Sequence, residues 1–259
     1  MIQTIVIIAR RILRDAIRNR LLIIGLIFTL ILSGFAAMAA AVSMGEHTRL
    51  VVDVGLSATS FFGTLAGIAL AVGSVGLALR NKGLYPMLVR PISRFELLAG
   101  IFFGQWLTII VIALIFALGT TAAVSVLGGT LPAAFPFAIA STLVELGVVV
   151  AVSVAMSTFG APAAAATYAA FLCFSGHFTI QIDNLIRTWR AEDYGAAADL
   201  LDAVSRILPD MERLSFRHEA SNGLDVAMVD FSWSIAYGLL YIGSMLLLAS
   251  FSLETKRSI

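Results

Sequence analysis

The stretch Leu79–Gly100, LRNKGLYPMLVRPISRFELLAG, is a basic island between two long apolar runs. Arg80, Lys82, Arg90 and Arg94 stand there against one carboxylate, Glu96, so the positive-inside bias assigns the loop to the cytoplasmic side of a membrane. Tyr85, Pro86 and Pro91 stiffen a short predicted helix. An aqueous loop this short is better suited to being gripped by a partner than to chemistry of its own.

The flanking sequence fits that setting. Of 259 residues, 59% are hydrophobic and 13% charged. A soluble fold of this composition would expose apolar area far beyond what monomers tolerate. A hydrocarbon core about 30 Å thick takes roughly 20 apolar residues per helix. The pattern therefore predicts an all-α polytopic membrane protein, a single domain over 1–259, with six transmembrane helices at 21–44, 54–79, 97–126, 137–158, 162–182 and 229–252. Outward turns are expected at 45–53 and at 127–136, the second marked by Gly128, Gly129, Pro132 and Pro136. Gly160, Ala161 and Pro162 form a short inward turn, with Pro162 suited to a first helical position. The sole cysteine, Cys173, excludes an intrachain disulfide.

Sorting charges by side exposes an asymmetry hidden by the overall +1. Arg10, Arg11, Arg14, Arg18, Arg20, Arg80, Lys82, Arg90, Arg94, Lys256 and Arg257 meet only Asp15, Glu96 and Glu254 on the proposed cytoplasmic side, a net +8. The opposite side carries −6, most of it in residues 183–228. Both termini are thus expected in the cytoplasm, with 183–228 as a small helical extracytoplasmic segment between the fifth and sixth spans. Two or three short helices are expected in it, Leu200, Val204, Ile207 and Leu208 sharing one face.

Residues 1–20 read as an N-terminal amphipathic interfacial helix. Ile5, Ile8, Ala9, Ile12, Leu13, Ala16 and Ile17 fall on one face, with Arg10, Arg11, Arg14 and Arg18 opposite. The apolar face is expected among acyl chains, the arginines on anionic lipid headgroups or a cytoplasmic protein. The apolar run from Leu21 is longer than the roughly 7–15 residues of a signal-peptide core, so a span is expected there, not a leader.

Tyr85, Leu88, Arg90, Pro91, Ile92, Ser93, Arg94, Glu96 and Gly100, in this order and spacing, resemble the cytoplasmic loop of ABC-2 type transporter permeases. That family shares the layout of amphipathic N-terminal helix, six spans and a large outer segment before the last span. The branch most similar is that of permeases for copper-enzyme maturation. Two positions depart from the family pattern: Gly73–Leu79 lacks the acidic residues often found there, and Ile101 stands where a lysine or arginine commonly follows the glycine. The resemblance implies that Arg80, Lys82, Tyr85, Arg90, Ser93, Arg94 and Glu96 belong to a coupling helix seated in a separate ATP-binding subunit. It further implies two copies of that subunit, carrying the ATP and Mg, a second permease copy as a homodimer, and export across a bacterial plasma (inner) membrane. In physical terms the charges would set register and association rate, and Tyr85, Met87 and Leu88 would be the buried anchor. The plainer alternative is a solvated loop that obeys the charge bias.

No GxxxxGK[ST], HExxH or GxSxG motif occurs, and His47, His177 and His218 have no metal or triad spacing among themselves. The chain is therefore expected to be non-catalytic and to bind no cofactor and no nucleic acid; lipids are expected as partners, and the resemblance implies the ATP-binding subunit beside them. Glu145 is the one ionisable residue well inside a span; gating, cargo contact and a structural hydrogen bond all remain open for it. Cys173 and His177, four apart, share a face and form a weak two-ligand candidate for a soft metal such as Cu(I), against the commoner buried thiol beside an interfacial histidine. Gly63 with Gly67, and Gly100 with Gly104, mark close helix contacts. Trp106, Trp189 and Trp233 are expected as interfacial anchors. The function expected is a permease that exports a hydrophobic or amphiphilic cargo or transmits force to an extracytoplasmic partner on 183–228. A stand-alone secondary transporter or a lipid-modifying membrane enzyme is the alternative.

Overall fold

The computed structural model describes residues 2–18, 47–80, 93–191, 194–206 and 208–255, together with positions 27, 31, 34 and 38. The expected first span, apart from those four positions, and Lys82, Tyr85 and Arg90 lie outside the described residues. Among the described residues the fold is all-helical, and five helical stretches are long and apolar enough to cross a membrane. The chain is a multi-pass membrane protein.

In order, the elements are α1 (Ile2–Arg18), α2 (His47–Arg80), α3 (Arg94–Val126), α4 (Phe135–Phe159), α5 (Pro162–Ser175), a 3-10 turn (Gly176–Phe178), α6 (Thr179–Ala191), α7 (Gly195–Ser205), a second 3-10 turn (Glu212–Leu214), α8 (Arg217–Asn222) and α9 (Met228–Thr255). Short connections make α2, α3, α4 and α5 alternate in direction. One end of the bundle gathers α1, the start of α3 and the Gly160–Pro162 turn, and is here called the basic end. The other gathers α6 to α8 and is called the acidic end.

α4 is the central helix. Val148, Val149, Val150, Ala151, Val152, Val154 and Ala155 are fully buried on it, a run of small and β-branched residues that lets neighbours approach from several sides. On α2, Gly63 lies under Leu146, where an added Cβ would come within 2.6 Å of a leucine methyl, and Gly67 meets Val149 and Val150. Lipid is as apolar as leucine, so such close packing, together with interhelical hydrogen bonds, holds the helices together in the bilayer. The outward surface is correspondingly apolar: Leu114, Leu118, Phe171, Leu240, Leu247 and Phe251 are exposed.

Three expectations are corrected. Residues 47–53 are the first two turns of α2, not a turn, because Val51 and Val52 are buried in a second apolar cluster with Val124, Phe135, Phe216 and Ala220. With 34 and 33 residues, α2 and α3 are each about 50 Å long and extend well past a hydrocarbon core of about 30 Å. The expected fifth span is a helical stretch from Pro162 to Ala191 that tightens into the 3-10 turn at Gly176, whose carbonyl accepts a hydrogen bond from the Met211 N–H at 3.0 Å, and the Pro209 carbonyl lies where a Cβ on Gly176 would project. Trp106 is not an interfacial anchor; it stacks on Phe102, and its Nε1–H donates to the Leu143 carbonyl at 2.8 Å, tying α3 to α4. In α7, Leu200 and Val204 are exposed, and the helix buries Ala198 instead.

The α6–α7 corner is held by charge. Arg190 reaches both Asp199 and Asp202, and Arg206 pairs with Asp202 at 3.1 Å. The hydrogen bond from Arg206, joined by that from Arg190, holds the Asp202 carboxyl below its ordinary value. Its stabilising effect is therefore complete above the unfolded carboxyl value of about 3.9 and is lost as pH falls through the lower folded value. Hydrogen exchange of the 195–205 amides should accelerate only under strong acid, whereas Asp202→Asn should show the fast exchange at neutral pH.

Candidate functional site

At the basic end, the last residues of the quoted loop build the start of α3. Ser93 is the N-cap: its hydroxyl accepts from the Glu96 N–H at 3.2 Å, and the Glu96 carboxylate accepts from the Ser93 N–H at 3.4 Å. This capping box satisfies two of the donors that a helix start leaves open. It assigns local roles to two candidate coupling residues. Arg80 closes α2 and Arg94 opens α3.

α1 rests directly on this helix start. A Cβ on Gly104 would come within 2.9 Å of the Ala9 Cα and 3.0 Å of its carbonyl oxygen, so the two backbones touch; Gly100 faces the Ile8 side chain in the same way. Ile8 and Ala16 are buried, Ile5, Ala9, Ile12 and Leu13 half-buried, and Arg10, Arg11 and Arg14 exposed. The apolar face is the expected one. Its occupant differs, because the glycine pair offers α3 as a closer-fitting surface than acyl chains, and among the described apolar side chains of α1 only Val6 and Ile7 remain bare beside it.

A second polar centre lies inside the bundle towards the acidic end. Glu145 on α4 is 2% exposed, and its Oε1 accepts from the Ser60 hydroxyl of α2 at 2.6 Å and contacts His177 Nε2 at 3.0 Å. The other ring nitrogen, Nδ1, is 3.0 Å from the Cys173 carbonyl oxygen. A carbonyl only accepts, so Nδ1 carries a hydrogen, and one further proton sits between Nε2 and Oε1. An imidazolium with a carboxylate, or an imidazole with a carboxylic acid, both leave the pair neutral. That neutrality removes most of the cost of an ionisable group at this depth.

With both ring nitrogens engaged, His177 has no lone pair to share with the buried Cys173 thiol, and the expected Cys173–His177 pairing is replaced by Glu145–His177. No group of three or more potential metal ligands occurs among the described residues. Ser60 escapes a reading of single residues. The signal for it is the 3-4 spacing of Asp53, Ser57, Ser60, Thr64, Gly67, Ala71 and Ser74, a polar and small stripe down α2. Farther along the stripe Gln105 of α3 donates to the Leu70 carbonyl at 3.1 Å and to Ser74. Thr64, between the two centres, keeps a buried hydroxyl with no hydrogen-bond partner.

No family model matches the sequence, and no curated protein matches it. Against that background the residues of the two centres carry the functional reading.

The buried centre sets an order of stabilities. Ser60→Ala removes one of two bonds to Glu145 and should cost about 1 kcal/mol. His177→Leu strands a carboxyl and should cost about 3 kcal/mol, read as a larger fall in thermal midpoint in detergent.

Proposed function

We propose that this chain is the membrane-spanning permease subunit of an ATP-driven transporter of the ABC-2 type, working as a homodimer with two ATP-binding subunits that carry ATP and Mg. The supporting observation is the construction of the basic end. Ser93, Glu96 and Gly100 of the family-like loop cap α3 and seat α1, which makes the loop base, the helix start and the basic N-terminal helix one mechanical body. Force applied to residues 80–96, or to Arg10, Arg11, Arg14 and Arg18, would move α3 as a unit. Nucleotide-driven closure of the ATP-binding subunits would apply that force and shift the helix packing between two arrangements.

In this reading the basic end faces the cytoplasm of a bacterial inner membrane, and residues 183–228 lie outside. The spans carry few charges and their outward surface is apolar, which suits export of a hydrophobic or amphiphilic cargo, or force transmission to a protein on the outer segment. A second reading, a stand-alone proton-coupled transporter, draws on the buried Glu145–His177 pair.

Gentle detergent extraction of the tagged chain from its native host should bring down an ATP-binding cassette protein in equal amount. Arg94→Glu and Tyr85→Ala should lose it while the chain stays folded, and Gly104→Leu, which drives α1 off α3, should keep it but lower its cargo-stimulated ATPase rate by roughly tenfold or more. Solute uptake by the purified chain alone, driven by a proton gradient without nucleotide, would overturn the proposal in favour of the second reading.

A further inference from the structure

The start of α9, at the acidic end, borders an open groove of about 680 Å³ that the mechanical reading does not use. Asp230, Trp233, Tyr237 and Leu240 line it from α9 at helical spacing, so one face of that helix presents acid, indole, phenol and alkyl in order along about 15 Å of rise. Glu212 and Glu219 line it from the chain opposite. We propose that this groove binds an amphiphilic organic cation, with a primary ammonium head between the carboxylates and the indole and an apolar tail along Leu240.

The charge of the groove is unbalanced. Its three carboxylates share the wall with a single guanidinium, that of Arg213, and this group is engaged elsewhere: its Nε pairs with Asp210 at 3.7 Å, and its Cζ lies 5.5 Å from the centre of the Tyr237 ring. Among the described residues, none of Glu212, Glu219 and Asp230 has an ion-pair partner. Asp230 stands in the first turn of α9, where the helix dipole favours its charge. That reason does not cover the whole set, because Glu219 keeps its Oε2 buried with no hydrogen-bond partner. A buried acceptor without a donor is costly, and an ammonium N–H supplies both the donor and the counter-charge.

The other walls select the kind of cation. No group of three or more potential metal ligands occurs among the described residues, so the negative charge is spread round the groove and not focused on one point. Trp233 is 70% exposed, which leaves its indole free to take a cation against the ring. The Arg213 guanidinium over Tyr237 shows the neighbouring ring already in that use, and the Asp210 N–H holds the Tyr237 hydroxyl at 2.8 Å. Beyond the rings, Leu240, Leu247 and Phe251 are exposed at helical spacing and form an apolar track down α9. A head with a tail is thus matched along its length, whereas a small hydrophilic cation would leave the track unused.

Two sources share this chemistry, the headgroup end of an aminolipid and a free long-chain amine. Named as cargo, either one rests on the transporter reading; the binding itself does not.

Binding of radiolabelled decylamine, protonated at neutral pH, is measured by equilibrium dialysis of the purified full chain in maltoside micelles, which carry no amine, with protein-free micelles as background. One saturable site per chain is expected. Glu219→Gln and Asp230→Asn should each weaken it about tenfold, the factor for losing one charge-assisted hydrogen bond, and Trp233→Leu about threefold or more. Arg213→Gln, which removes the resident positive charge, should tighten it. Decanol, the same tail without the charge, should fail to displace the label. Short-chain phosphatidylethanolamine separates the two sources: displacement supports the site with an aminolipid as its occupant, and retention of the label supports it with a free amine. Absence of a saturable site, displacement by decanol at the same concentration as by unlabelled decylamine, or unchanged binding in the folded Glu219→Gln, Asp230→Asn double variant overturns the proposal. Neither nucleotide nor an ATP-binding subunit enters the measurement, so its failure and a failure of the transporter assignment are told apart.

Discussion

A carboxyl group midway along the most enclosed helix of a membrane bundle cannot be left charged and alone. Glu145 sets that requirement, and three other elements are arranged to meet it. α2 presents Ser60 at hydrogen-bond distance, α5 ends in a 3-10 turn that brings His177 over the carboxylate, and α8 holds Arg217 near enough to feel the imidazole. The 3-10 turn at Gly176 within the fifth helical stretch belongs to the same solution. A continuous helix would have no free carbonyl at Gly176 for the Met211 N–H, and the strap over the bundle end would lose its anchor.

Away from this centre, cohesion comes from small residues. Gly63 and Gly67 admit α4 against α2, Gly100 and Gly104 admit α1 against α3, and Gly147 accommodates the Trp106 indole. Each pair brings backbones near enough for dispersion to replace the hydrophobic drive that lipid does not supply. The two glycine pairs divide the labour: one fixes the centre of the bundle, the other fastens a peripheral amphipathic helix to its basic end.

Much of this is legible in the sequence because the bilayer imposes simple rules. Apolar length locates the apolar middle of each of the five described spans, Pro162 and the glycines at 128 and 129 mark turns, and the alternation of Arg10, Arg11 and Arg14 with Ile8, Ile12 and Ala16 gives the buried face of α1. Length rules fail where helices leave the lipid, as at residues 47–53, because Val51 and Val52 are buried by chain that is remote in sequence. The partner of Glu145 is hidden for a related reason. His177 is much nearer Cys173 in the chain, and only the fold shows that the imidazole turns away from the thiol towards α4. Ser93 and Glu96 are recognisable by spacing as a capping box, although their motif first suggests contact with a partner.

α2 and α3, with 34 and 33 residues, stand proud of any hydrocarbon layer as stiff posts. A tilt of about 5° in a post about 50 Å tall carries its tip roughly 4 Å sideways. Since α2 bears the apolar cluster at one end and adjoins the basic loop at the other, under the transporter proposal it would act as a pivoted arm, converting slight motion at one end into ångström-scale travel at the other.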